Sequence, residues 1–181
     1  MTSRIGPLLE NNERYAKTFT PVPLGLPAKQ TIVIGCLDHR VDPALFLGLQ
    51  AGDAPVLRNA GGRVDQAMIE QIAYIAFLGR RLAGGTLTPD MSVEVAVIHH
   101  NQCGTGFLAD DDFRREASKT IGIAEEALLA TCVDDPYATV EVDVRRLLTS
   151  PLLPSGVSVS GHVYDVETGR VTTVVEARRP E

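Results

Sequence analysis

Apolar and polar positions fall into blocks along this chain. Four short, mostly apolar runs read as buried strands: Thr31 to Cys36, Ala54 to Arg58, Val93 to His99 and Val157 to Tyr164. Other segments carry apolar residues at helical spacing. Val64 to Leu78 has them at positions 64, 68, 72, 75 and 78, and Val140 to Leu148 sets Val140, Val144, Leu147 and Leu148 on one face. Leu8 to Ala16 reads as a short helix, and the Pro- and Gly-bearing stretch from Thr20 to Pro27 reads as a loop leading into the core. Each of the first three strands is followed by a helical segment. That alternation predicts an α/β fold, a central and mostly parallel sheet flanked by helices. Asp165 to Gly169 has the residues of a turn, with Gly169 free to be left-handed. It joins Val157–Tyr164 to Arg170–Val175 as an antiparallel C-terminal hairpin. Residues 1–181 therefore read as a single domain, with 1–30 forming an N-terminal helix and an extended arm.

Composition narrows the classes of function. A chain of 181 residues with 44% apolar and 22% charged side chains can build a substantial core. The net charge of -6, with no dense run of Lys or Arg, argues against nucleic acid and anionic membrane as partners. Apolar stretches such as Ile72 to Leu78 fall far short of the ~20 residues that span a bilayer. The N-terminus lacks the apolar centre of a secretory signal, so a cytoplasmic location is expected. Three cysteines make no disulfide framework. Cys132, among small and apolar neighbours, is expected to pack in the core.

The other two cysteines carry the chemistry. Cys36 closes the first strand and opens Cys36-Leu37-Asp38-His39-Arg40; His100-Asn101-Gln102-Cys103 follows the third strand. In α/β sheets, sites gather at the carboxyl ends of strands, where Cys36, Arg58 and His100 all fall. Two thiolates and an imidazole suit a tetrahedral zinc ion with one position open. Asp38 decides what that position does. As a fourth ligand it closes the site; paired with Arg40 on the same side of an extended chain, it is held off the metal. Arg58-Asn59-Ala60-Gly61-Gly62 reads as a tight loop entering a helix and shaping the pocket, and Gly104-Thr105-Gly106 offers backbone N–H groups at a helix start.

Taken together, Cys36-x-Asp38-x-Arg40, Val56-x-Arg58-Asn59-Ala60-Gly61 and His100-x-x-Cys103-Gly104 resemble the β-class carbonic anhydrases, in order and in separation. The similarity extends from Leu8–Tyr15 to Gly161–Asp165, and the short length and the His99-His100 pair resemble a compact bacterial branch. The resemblance implies one zinc ion per chain on Cys36, His100 and Cys103, selecting His100 over His99, which is then a buried imidazole. It implies Asp38 and Arg40 as a catalytic dyad, and a homodimer or homotetramer with sites near the subunit interface. The implied reaction is reversible hydration of CO2 to bicarbonate by a zinc-bound hydroxide. Zinc lowers the pKa of a water toward the ~7 known for carbonic anhydrase sites with three His ligands. Two thiolates cancel the charge of the ion and make that loss of a proton harder.

Relatives with this zinc triad hydrolyse carbonyl sulfide or carbon disulfide, linear molecules with an electrophilic carbon like that of CO2, so such a hydrolase is the first alternative. A non-catalytic zinc protein with Asp38 as fourth ligand is a second. A cysteine-nucleophile enzyme built on Cys36 lacks both a phosphate-binding loop and a Cys-x-x-Cys pair. Two positions depart from the family pattern. His39 stands where a small residue is usual; by alternation it points away from the site, and otherwise it is placed to shuttle protons. Gln102 stands where an acid is common.

Overall fold

The computed structural model describes residues 3–85 and 93–180; residues 1–2, 86–92 and 181 lie outside that description. Strands β1 (Thr31–Cys36), β2 (Val56–Asn59), β3 (Val93–His100), β4 (Val157–Tyr164) and β5 (Val171–Arg178) form one sheet in the order β2-β1-β3-β4-β5. The first four run parallel and β5 runs antiparallel to β4, as the pattern of the sequence implied. The helices are α1 (Gly6–Ala16), α2 (Pro43–Phe46), α3 (Gln66–Leu82), α4 (Asp111–Ile121), α5 (Glu125–Leu129) and α6 (Pro136–Leu148).

Helix α3 starts two residues beyond Val64 because the Asp65 side chain accepts from the Met68 N–H at 2.7 Å and fixes the first turn. Helix α6 starts four residues before its apolar stripe. Asp135 accepts from Tyr137 and Ala138 N–H, and Pro136 occupies the first turn, where its missing donor costs nothing. Strand β2 begins at Val56 rather than Ala54. Pro55 has no N–H for the ladder, though its carbonyl accepts from Val33 N–H at 2.9 Å.

Helices α3 and α6 pack on one face of the sheet. Met68, Ile69 and Ile72 of α3 and Val140, Val144 and Leu147 of α6 meet Ile32, Ile34, Val95, Val97, Val159 and Val163 in the main core. At Gly161 a Cβ would lie 2.9 Å from a Val144 methyl, so the absence of a side chain lets α6 lie close to β4. The opposite face carries α2, whose Phe46 stacks on Tyr164 with ring centroids 4.3 Å apart. The chain order reverses between β1 and β3, which neighbour each other while β2 lies on the other side of β1. The crevice at the carboxyl ends of β1 and β3 is thus a topological switch point, where α/β sheets bind ligands. Among the described residues, no helix is long and apolar enough to cross a membrane.

Candidate metal centre

Cys36 is the last residue of β1 and His100 the last of β3; Cys103 follows after a short turn. All three are buried, and one ligand atom from each lies within 4.8 Å of the other two. The sulfurs of Cys36 and Cys103 are 3.9 Å apart. Two sulfurs at tetrahedral positions, each ~2.3 Å from zinc, stand about 3.8 Å apart. His100 Nδ1 lies 2.8 Å from the Asn101 carbonyl oxygen, which can only accept, so the proton of the neutral ring sits on Nδ1. Nε2 is then a bare lone pair, buried and without a hydrogen-bond partner among the described residues. An unpartnered imidazole nitrogen beside two sulfurs at this spacing fits a soft divalent cation.

The thiols are prepared for that role. The Asp38 N–H points at the Cys36 sulfur at 3.4 Å and the Thr105 hydroxyl meets the Cys103 sulfur at 3.2 Å. The hydrogen bond with Cys36 pulls the Cys103 thiol down to about 4, and the same contact pushes Cys36 well above its ordinary value. The contact between the two sulfurs thus favours one thiolate beside one thiol.

Asp38 is gripped by Arg40. The guanidinium donates from Nε to Oδ1 at 3.0 Å and from Nη2 to Oδ2 at 2.6 Å, and the Arg40 backbone N–H donates to Oδ1 at 2.9 Å. These bonds, the side-chain pair first, hold the carboxyl well below the usual carboxylate range. The expected pairing therefore forms, but by a different local route. Residues 38–41 are not extended; they turn, with Val41 N–H on the Asp38 carbonyl at 3.1 Å. Arg40 also reaches the Gln102 carbonyl at 2.9 Å, which ties the pair to the loop between His100 and Cys103. Asp38 is not part of the three-residue cluster.

The matches with known proteins agree with this geometry. The family model for carbonic anhydrase matches residues 31–131, which contain all five of these residues. "Beta-carbonic anhydrase 1" of Mycobacterium tuberculosis is 32% identical over 167 residues, 92% of this chain and 94% of the relative. The chain belongs to the β-carbonic anhydrase family. A β-carbonic anhydrase-like course of the backbone is seen in the crystal structure of the carbonic anhydrase from Streptococcus mutans, with a TM-score of 0.76, 29% identity, and coverage of 96% of this chain and 99% of that one. The carbon disulfide hydrolase of Acidithiobacillus thiooxidans is 28% identical, over 82% of this chain and 79% of that protein.

The remaining positions singled out in the sequence of this β-carbonic anhydrase family member sort as follows. His39 is 93% exposed, as alternation implied, with Nδ1 3.7 Å from Asp38 Oδ1. The Gln102 side chain donates to Glu167 at 2.7 Å, and its backbone sits at φ 50°, an uncommon conformation for a residue other than glycine. Arg58 does not face the sulfurs. It donates to the carbonyls of Cys36 at 2.8 Å and Asp38 at 2.7 Å and so braces the segment between them. Gly104 to Ala109 form a short 3-10 turn in place of the expected start of a regular helix. Cys132 is buried, as expected.

The burial of His99 was expected; the group it joins escaped the sequence reading. His99 is fully buried, with Nδ1 2.9 Å from the Thr139 hydroxyl and Nε2 3.2 Å from Asp143 Oδ2. Asp143, also fully buried, accepts from Arg63 at 2.7 and 3.2 Å and from Val64 N–H at 3.1 Å. Burial opposes its ionisation, yet the close approach of His99 and the paired hydrogen bonds from Arg63 outweigh that and hold the carboxyl below its ordinary value. The signal was present: Asp143 falls at i+3 from Val140 and beside Val144, an acid inside the apolar stripe of α6.

Proposed function

We propose that this protein is a zinc enzyme that interconverts CO2 and bicarbonate, with Cys36, His100 and Cys103 as the metal ligands. The observation that carries this reading is the unpartnered, buried Nε2 of His100 set beside two sulfurs at tetrahedral spacing, with the carboxylate of Asp38 held away by Arg40. Zinc bound there supplies a Lewis acid that makes hydroxide available near neutral pH for attack on the carbon of CO2. Asp38 has both oxygens occupied by Arg40 and keeps further acceptor capacity. From there it would accept a hydrogen bond from the O–H of the nucleophile, taking no proton, and so turn the lone pair of that oxygen toward the substrate. Arg40 keeps Asp38 ionised and fixed, and the Gln102 carbonyl anchors Arg40. Phe46, Tyr164, Val41 and Val166 pack beside the two cysteines and give the site an apolar wall, suited to a small nonpolar substrate.

The same site serves a carbonyl sulfide or carbon disulfide hydrolase. The similarity to the carbon disulfide hydrolase of Acidithiobacillus thiooxidans supports this as the second reading. Closure by Asp38 finds no support in its two-pronged pairing with Arg40. The assembly is proposed as a homodimer or larger, since α1 buries none of its residues against its own chain and leaves Leu8, Leu9 and Tyr15 exposed. The substrate readings are separated by measuring CO2 hydration and sulfide release from carbonyl sulfide and carbon disulfide on one zinc-loaded preparation. Faster CO2 turnover supports the first; sulfide release far exceeding CO2 hydration replaces it with the second.

A further inference from the structure

The buried group centred on Asp143 calls for an explanation beyond stability. Taking a carboxylate and a guanidinium out of water costs several kcal/mol, and well-packed apolar side chains of similar size often stabilise a fold as much or more. Asp143 nonetheless sits at 0% exposure in the apolar stripe of α6, and Arg63 faces it at 11%. What the pair joins is informative. Arg63 and Val64 belong to the loop that follows β2, and in that loop Gly62 lies so close to β1 that a Cβ would stand 2.9 Å from the Cys36 nitrogen. His99, 3.2 Å from Asp143, immediately precedes His100 on β3. The third arm of the Arg63 fork donates to the Cys132 carbonyl at 2.6 Å. The next residue, Val133, packs against Cys36 and Cys103, and its carbonyl stands 2.9 Å from where a Cβ on Gly106 would be. One buried carboxylate thus holds two segments directly and a third through Arg63, and together the three abut all of the candidate ligands.

We propose that Asp143 is the positioning residue of the metal centre: through Arg63, Val64 N–H and His99 it fixes the mutual placement of the segments that carry Cys36, His100 and Cys103. It touches neither metal nor substrate. The inference rests on the reading of those three residues as metal ligands. It makes a rigid, buried network below the site responsible for metal affinity and coordination geometry, much as hydrogen bonds outside a coordination sphere orient the ligands within it. Thr139, which meets His99 Nδ1, completes the grip from the same helix.

The test uses the full chain, stripped of metal and titrated with zinc against a chromophoric chelator, and separately loaded with cobalt(II) for its visible spectrum. Asp143→Asn keeps the shape and removes the charge. The expected result is a zinc affinity weakened by about 10- to 100-fold and an altered cobalt spectrum. Leu147→Ala, in the main core on the same helix, is the control: it lowers thermal stability and leaves zinc affinity and cobalt spectrum unchanged. Should Asp143→Asn fail to fold, Arg63→Lys tests the same point, because it keeps the charge and loses the fork; a several-fold weaker zinc affinity is expected. Native-like affinity and spectrum in whichever of these variants folds would overturn the proposal while leaving the metal site intact. If the unaltered protein bound no zinc, or Cys36→Ser bound it equally well, the metal reading itself would fall and take this inference with it.

Discussion

Cys36 and Cys103 hold one proton between their sulfurs. Their contact lowers one thiol of the pair and raises the other, so the pair carries one thiolate and one thiol at neutral pH. Metal binding needs both thiolates and therefore expels the one proton that the pair shares. Zinc affinity is expected to rise about tenfold per pH unit around neutrality, and calorimetry in buffers of different ionisation enthalpy should find one proton released per chain. Release of two would show that the pair is not preionised. Asp38 poses the opposite problem. Its folded-state value is depressed by Arg40, so the charge that pairs with Arg40 is present above the ordinary ~3.9 of an aspartate and is lost only as pH falls toward the depressed value. Acid inactivation near pH 5 is therefore not expected from Asp38. Asp38→Ala or Arg40→Ala should lower turnover at least about tenfold while zinc content stays near one per chain. Full activity in both variants would remove the dyad from the mechanism.

Between the residues and the molecule stand three connections: the turn after β1, the loop after β2 and the turn after β3. The loop after β2 is shaped by Gly61 and Gly62, at φ 76° and 67°. At Gly62 an added Cβ would also lie 2.9 Å from both the Cys36 nitrogen and the Gly35 carbonyl carbon, backbone atoms that cannot swing aside. Gly62→Ala is expected to cost about 1–3 kcal/mol from the left-handed backbone alone, with steric displacement of Cys36 added. Chemical denaturation and zinc titration of the variant should show both losses; a variant as stable as the native protein would contradict the close approach. These connections also mark how far the sequence could be read. The motif residues were legible because each lies within five residues of a partner or at the end of an apolar run. The sequence predicts an extended chain where a turn pairs Asp38 with Arg40, because period-2 alternation cannot distinguish a strand that continues from one that has just ended. Arg63 and Asp143, 80 residues apart, meet only through packing of α6 on the sheet, and no local pattern links them. Asp143 by itself had a visible anomaly, an acid on an apolar face, which marks a buried ion pair without naming its partner.

At the scale of the whole molecule, the parallel sheet brings together candidate ligands more than 60 positions apart in sequence: Cys36 and Cys103 are separated by 67. Adjacent strands β1 and β3 are in register from Thr31 opposite Glu94 to Gly35 opposite Ile98, so β1 ends one position before β3 and both open at the switch point. Strand order was not readable from the blocks of apolar residues, but the hairpin that adds β5 was, because a turn with Asp165 and Gly169 separates its strands. Phe46 on Tyr164 and the Gln102–Glu167 hydrogen bond draw the short helix after β1 and the β4–β5 turn toward the same crevice. In the proposed reading, this crevice holds a zinc ion and the protein hydrates CO2 there. Stopped-flow CO2 hydration, measured on protein stripped of metal, then reloaded with one equivalent of zinc, tests it most directly. The account predicts negligible catalysis in the stripped protein, recovery on zinc addition, and no recovery in Cys36→Ser. Protein with one zinc per chain and no CO2 hydration at any pH between 6 and 9 would contradict it.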